Sequence, residues 1–145
     1  MPESLAKPPA RVVEGARWFP KDLRSPSRAR QLLREVLARA KEGERYADCG
    51  ELLLSELVTN AVVHGPRRGT LIRVVVRLAE EGEGPLRIEV HDIGEGRPLP
   101  RQVGADEESG RGLLLVKSLA SRWGCCPRAH GIGKFVWCEI PPAVG

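Results

Sequence analysis

Residues 51–65, ELLLSELVTNAVVHG, decide how this chain is read. Leu53, Leu57 and Ala61, together with Leu54 and Val58, recur at the three- and four-residue spacing that stacks side chains on one face of a helix. A helix with one buried stripe is therefore expected. Asp48, with Glu51 three residues on, has the spacing of a capping arrangement at its start. Gly65-Pro66 stops it, because glycine relaxes the backbone and proline has no N–H to continue the ladder. Glu56 and Asn60 stand four apart, one turn from each other on a shared face, and His64 falls one further step along it. A carboxylate, an amide oxygen and an imidazole in line beside an apolar stripe fit either a solvated helix edge or a site.

Composition narrows the setting. A chain of 145 residues is expected to form one compact domain, here 11–142, preceded by a flexible proline-rich segment, 1–10. Hydrophobic content of 41% and charged content of 29% fit a soluble globular protein. No apolar run approaches the roughly 20 residues that span a bilayer, and MPESLAKPPARVVEG lacks the apolar segment of a signal peptide. The expectation is a cytoplasmic protein with no membrane partner. The net charge of +4 invites a nucleic-acid reading, but the basic residues are interleaved with acids, as in REVLARAKEGER, and aromatics make up only 4%. Neither a basic block nor a stacking platform is present, so no direct nucleic-acid contact is expected. Cys49, Cys125, Cys126 and Cys138 form no CxxC pair and are expected to be small buried hydrophobes. On a strand, Cys125 and Cys126 would point to opposite faces.

Taken in order, residues 11–19 read as an edge strand ended by Pro20. Ser25-Pro26 reads as an N-cap with proline at the first helical position. Ala29, Leu32, Leu33, Val36, Leu37 and Ala40 then keep helical spacing to about Lys41, and Gly43 ends the run. Residues 70–79 and 86–92 alternate. Ile72, Val74, Val76 and Leu78 face inward with Leu86, Ile88 and Val90, while Arg73, Arg77, Arg87, Glu89 and His91 face outward. An antiparallel pair with a charge-complementary outer face follows. Asp92 continues the inward set, where a carboxylate is expensive to bury without donors. It either caps the following turn or accepts a hydrogen bond from a ligand amine. Ile93-Gly94-Glu95-Gly96 lets backbone approach a ligand closely. Residues 97–109 show no periodicity and read as a lid or a disordered loop. Gly110-Arg111-Gly112-Leu113 opens a helix expected to run through Val116, Ala120 and Trp123, and its bare N–H groups suit a phosphate. Residues 124–128 and 134–140 read as a closing hairpin, with Val136, Cys138 and Ile140 facing one way and Phe135 and Trp137 the other.

Three of these stretches, in this order, resemble one family. Glu56-x-x-x-Asn60 on a helix is similar to the N box of the GHKL-type ATPases, Asp92-x-Gly94-x-Gly96 to their DxGxG box, and Gly110-Arg111-Gly112-Leu113 to their second glycine box. SELVTNAVVHG, ESGRGLLLVKSLASRWG and GKFVWCEI most resemble the anti-sigma-factor serine/threonine kinase branch, among small free-standing actinobacterial proteins. The resemblance covers 19–140. It implies the Bergerat fold, an α+β two-layer sandwich with a mixed, mostly antiparallel sheet and helices on one face. It implies ATP and Mg²⁺ as cofactors. Asn60 would give an oxygen to the metal, and Asp92 would take the adenine amino hydrogen bond. Gly94 and Gly96 would pack on the base. Gly110, Gly112 and Leu113 would present amides to the phosphates, Arg111 would add charge, and His64 would line the pocket. Glu56 would be the general base. Where relatives commonly have a threonine after Gly-Lys, often part of the adenine site, this chain has Phe135. No phosphoacceptor-histidine helix or transducer domain accompanies the boxes, so neither a complete sensor histidine kinase nor a gyrase-like machine is expected.

The function expected from the resemblance is an ATP-dependent serine/threonine kinase that phosphorylates a small anti-sigma-factor antagonist and binds a sigma factor, with homodimerisation as a further expectation. Its alternative is a nucleotide-responsive binding module that recruits a regulator without transferring phosphate.

Overall fold

The computed structural model describes residues 11–64, 70–93, 118–129 and 133–144. Among these residues five strands form one open sheet: β1 (Val12–Pro20), β2 (Leu71–Ala79), β3 (Leu86–Asp92), β4 (Arg122–Pro127) and β5 (Lys134–Ile140), in the order β1-β2-β3-β5-β4. Every pairing between them is antiparallel. On one face lie α1 (Ser25–Ala38), over β1 and β2, and α2 (Ala47–His64), over β3 and β5. This is the α+β architecture expected, with β1 on an edge as its terminal proline requires.

The alternation fixes which face is covered. Ile72, Val74, Val76 and Leu78 of β2 share a face with Asp92, Val90 and Ile88 of β3 and with Phe19 and Val13 at the two ends of β1, and all of these are buried. Leu53, Leu54, Leu57 and Val58 of α2 and Leu32, Leu33, Val36 and Leu37 of α1 close the core from above. Helix α1 lies tight on β1, since a Cβ on Gly15 would sit 2.7 Å from Val36 Cγ2.

Several local readings are corrected. Helix α2 begins at Ala47, directly after a 3₁₀ turn (Gly43–Tyr46), so Asp48 lies inside its first turn and favours the helix dipole there instead of capping it. Glu51 pairs with Arg34 of α1 at 2.9 Å. Ser25 makes no side-chain cap: its hydroxyl donates to the Pro20 carbonyl at 2.6 Å, and the helix ends at Ala38, short of Lys41. Trp123, expected on a helix, is in β4 opposite Cys138. Cys125 is exposed, and of the four free thiols only Cys138 is fully buried, where desolvation pushes it up to about 12. Cys125 pairs with Val136 and Cys126 with Phe135, so the two do face opposite ways.

The uncovered face carries a charged lattice. Glu89 accepts from Arg87 at 2.8 Å, lies 2.8 Å from His91 Nε2, and has Arg77 at 3.6 Å. Arg77 also bonds Glu14, Arg87 bonds Glu139 at 3.1 Å, and the Arg87 guanidinium lies 4.4 Å from the centre of the Trp137 ring. Burial pushes the Glu89 carboxyl up, but its bonds to His91 and Arg87 outweigh that and hold it below the ordinary carboxylate range. A carboxyl lowered on folding adds stability above its unfolded value and loses it as pH falls through the folded one. Acid denaturation followed by circular dichroism should therefore show wild type losing stability below about pH 4.5. Glu89→Gln should be less stable near neutrality and show a shallower acid limb.

Candidate nucleotide site

The chain gathers its polar groups at one end of the sheet. Strand β1 ends there at Pro20, β2 starts opposite it at Leu71, β3 ends at Asp92 opposite Ile72, and β5 starts at Lys134 opposite Asp92. Helix α2 runs toward the same end. A Cβ on Gly50 in its second turn would lie 3.0 Å from Leu86 at the start of β3, and its last residue, His64, is seven positions before Leu71. At about 1.5 Å per residue, the turns from Gly50 to His64 match the length of β3.

On that helix Leu53, Leu54 and Val58 are sealed, while Glu56 and Asn60 are half-buried. They lie on the flank between the buried stripe and the exposed Leu52 and Val63. This is the orientation their four-residue spacing dictates, with both polar tips within reach of solvent or a ligand. His64 closes the helix, and its side chain falls outside the described residues.

Asp92 is on the helix-covered face, as the alternation requires, and is 5% exposed. One donor that offsets its burial is Lys21, whose ammonium lies 2.9 Å from Oδ2; the two side chains are 4% and 7% exposed. Lys21 is held by a tight turn. The Pro20 carbonyl accepts from Asp22 N at 2.9 Å and from the Ser25 hydroxyl, and the Asp22 carbonyl accepts from Ser25 N at 2.9 Å. Sequence reading missed Lys21. Its only local signal is a lone lysine after a strand-ending proline, and its partner is 71 residues away.

Gly133 is a second missed element. Its φ is +107°, and a Cβ there would lie 2.0 Å from the Asp92 carbonyl oxygen. Only glycine lets β5 start against the Asp92 backbone. Phe135 stands on the opposite face from Asp92. It pairs with His91 and stacks on its imidazole with centroids 4.5 Å apart and planes 14° from parallel. The residue facing Asp92 across the β3–β5 pair is Lys134. Phe135 is therefore turned away from the Asp92 side chain, on the face that alternation along β5 assigns to it.

Gly94, Gly96, Gly110, Arg111, Gly112, Leu113 and the lid at 97–109 lie outside the described residues. Of the helix expected after the second glycine box, Leu119 is helical and, with Ala120, packs against the core. Among the described residues, no group of three or more His, Cys, Asp or Glu side chains is placed to hold a metal. No helix among them is long and apolar enough to cross a membrane.

A protein-family model described as a histidine kinase-like ATPase domain matches residues 19–130. An uncharacterized protein of Streptomyces coelicolor is 35% identical over 88 residues, which are 59% of this chain and 79% of that protein. Among solved structures, the RsbU and RsbW domains of Rv1364c from Mycobacterium tuberculosis align with a TM-score of 0.58 at 22% identity, over 90% of this chain and 33% of that one. The histidine kinase domain of a blue-light activated histidine kinase from Erythrobacter litoralis aligns at 0.51 and 21%, over 86% of this chain and 62% of that one. At these identities the two structures share the fold, and this chain spans about a third and three-fifths of their lengths.

Proposed function

Because the chain belongs to the histidine kinase-like ATPase domain family, we infer that it is an ATP-dependent protein serine/threonine kinase. Its acceptor is a small antagonist protein, and it also docks a sigma factor. One observation carries the reading: a buried carboxylate, already accepting from the Lys21 ammonium, stands at the end of β3, at the sheet end toward which the helix bearing Glu56 and Asn60 runs. A carboxylate in a nearly dry site is a strong acceptor for a polar N–H and has further acceptor positions, so it suits the exocyclic amino group of adenine. The fold shared with a chain that carries an RsbW domain supports this branch and names no partner.

The metal fits the residues. Mg²⁺ takes hard oxygen ligands and keeps several waters, so one amide oxygen plus phosphates suffices and no carboxylate cluster is needed. Asn60 would hold it, and when bound it neutralises phosphate charge. The remaining work falls to the chain. Asp92 fixes the base. Gly94 and Gly96 would let backbone approach it, and His64 would border the same pocket. Gly110, Gly112 and Leu113 would offer amides to the phosphates, with Arg111 adding charge. Glu56, one turn from Asn60, accepts the proton of the incoming serine or threonine hydroxyl as its oxygen bonds to the γ-phosphorus and ADP leaves.

The test is incubation with labelled ATP, Mg²⁺ and a candidate antagonist protein, followed by phosphoamino-acid analysis. Phosphoserine or phosphothreonine on the antagonist is expected. ATP binding without transfer would instead mark a nucleotide-responsive recruiting module.

A further inference from the structure

The mechanism above uses Asp92 alone to read the base, yet the structure gives that carboxylate a permanent companion. Lys21 Nζ lies 2.9 Å from Asp92 Oδ2, and both side chains are more than nine-tenths buried. An incoming adenine meets the pair, not a lone acid. Its amino group is neutral and cannot replace a cation on a buried carboxylate, because removing one member of such a pair leaves an uncompensated charge. The carboxylate has room for both, since two oxygens offer about four acceptor positions. Lys21 therefore stays while the base binds.

The pair then has a chemical meaning. An acceptor and a strong donor about 3 Å apart complement an edge on which an amine sits beside a ring nitrogen. Adenine presents that edge through its 6-amino group and N1. The Lys21 ammonium carries three donors on a flexible stem, so a ligand acceptor competes readily for one of them. The anchoring turn, with its bonds from Asp22 N and the Ser25 hydroxyl to the Pro20 carbonyl, keeps the stem's origin fixed at the end of β1.

We propose that Lys21 is a specificity-determining residue of the nucleotide site: Asp92 accepts from the adenine amino group while Lys21 donates to N1. The inference rests on the nucleotide-binding reading above. It goes beyond it by assigning the ring nitrogen to a residue in none of the three boxes.

The experiment compares ATP with 1-deaza-ATP, in which N1 is replaced by C–H, by calorimetric titration in Mg²⁺ buffer. Wild type should bind 1-deaza-ATP roughly 10-fold or more weakly than ATP, as expected for a lost hydrogen bond to a charged group. Lys21→Met should bind ATP as weakly as wild type binds the analogue, with no further loss for the analogue. Thermal melting without nucleotide checks that the variant is folded, and the wild-type comparison needs no variant. Equal binding of the two nucleotides by wild type overturns the proposal, as does tighter ATP binding by Lys21→Met, which would make Lys21 a plug. If wild type binds neither nucleotide, the nucleotide-site reading itself falls and this proposal with it.

Discussion

Asp92→Ala is expected to lower the unfolding free energy by about 3–5 kcal/mol, because it strands the Lys21 ammonium in a site where that side chain is 4% exposed. Against the 5–15 kcal/mol that holds a typical domain together, this is a large fraction. The cause is the orphaned charge and not lost packing, since aspartate is small. The prediction is therefore specific about the double variant. Lys21→Met with Asp92→Leu removes both charges and should recover most of the loss, as apolar replacement of an entire buried pair often does. Urea unfolding of the wild type, Lys21→Met, Asp92→Leu and the double variant closes the cycle, with Asp92→Ala measured beside them. Additive losses would show that the two side chains do not depend on each other.

The second large effect is on chemistry. Glu56→Gln keeps the size and helix propensity of the side chain but cannot take a proton. If Glu56 is the base, phosphoryl transfer to the antagonist should fall by roughly 10²- to 10⁴-fold. ATP binding should change little, because Glu56 is half-buried on the flank of α2 and carries no part of the core. Its stability should be close to wild type for the same reason. Single-turnover transfer beside an ATP titration separates these effects. Equal transfer by both proteins removes Glu56 from the reaction.

The parts of this fold that follow from local periodicity were readable in the sequence. The alternation from Leu86 to Asp92 assigned every side chain to its face, and the register with β2 bears it out down to Ile72 opposite Asp92. The stripe through Leu53, Leu57 and Ala61 located α2, although its start lies earlier, at Ala47. That start depends on Tyr46, whose sealed hydroxyl reaches the carbonyls of Gly82 and Gly84 at 3.0 and 2.6 Å, a contact no local pattern announces. Trp123 fell at helical spacing from Leu113, Val116 and Ala120 by coincidence, and pairing with Cys138 decided its strand. A short window cannot see its partner across a sheet.

The candidate site divides in the same way. Glu56 and Asn60 share one helix flank, which fixes their relation to each other. Asp92 was placed inward by alternation, and the need for a donor followed from the cost of burying it. Which donor it found depended on the return of β1 beside β2, and that is tertiary. Phe135 was placed by the same alternation, on the face opposite Val136, and there it stacks on His91.

The most direct test of the central claim is a calorimetric titration of ATP into the purified chain, with and without Mg²⁺, for wild type and Asn60→Ala. One saturable site is predicted for wild type, tightened by Mg²⁺, with the tightening lost in Asn60→Ala. No saturable binding, or a metal dependence identical in the two proteins, would contradict it.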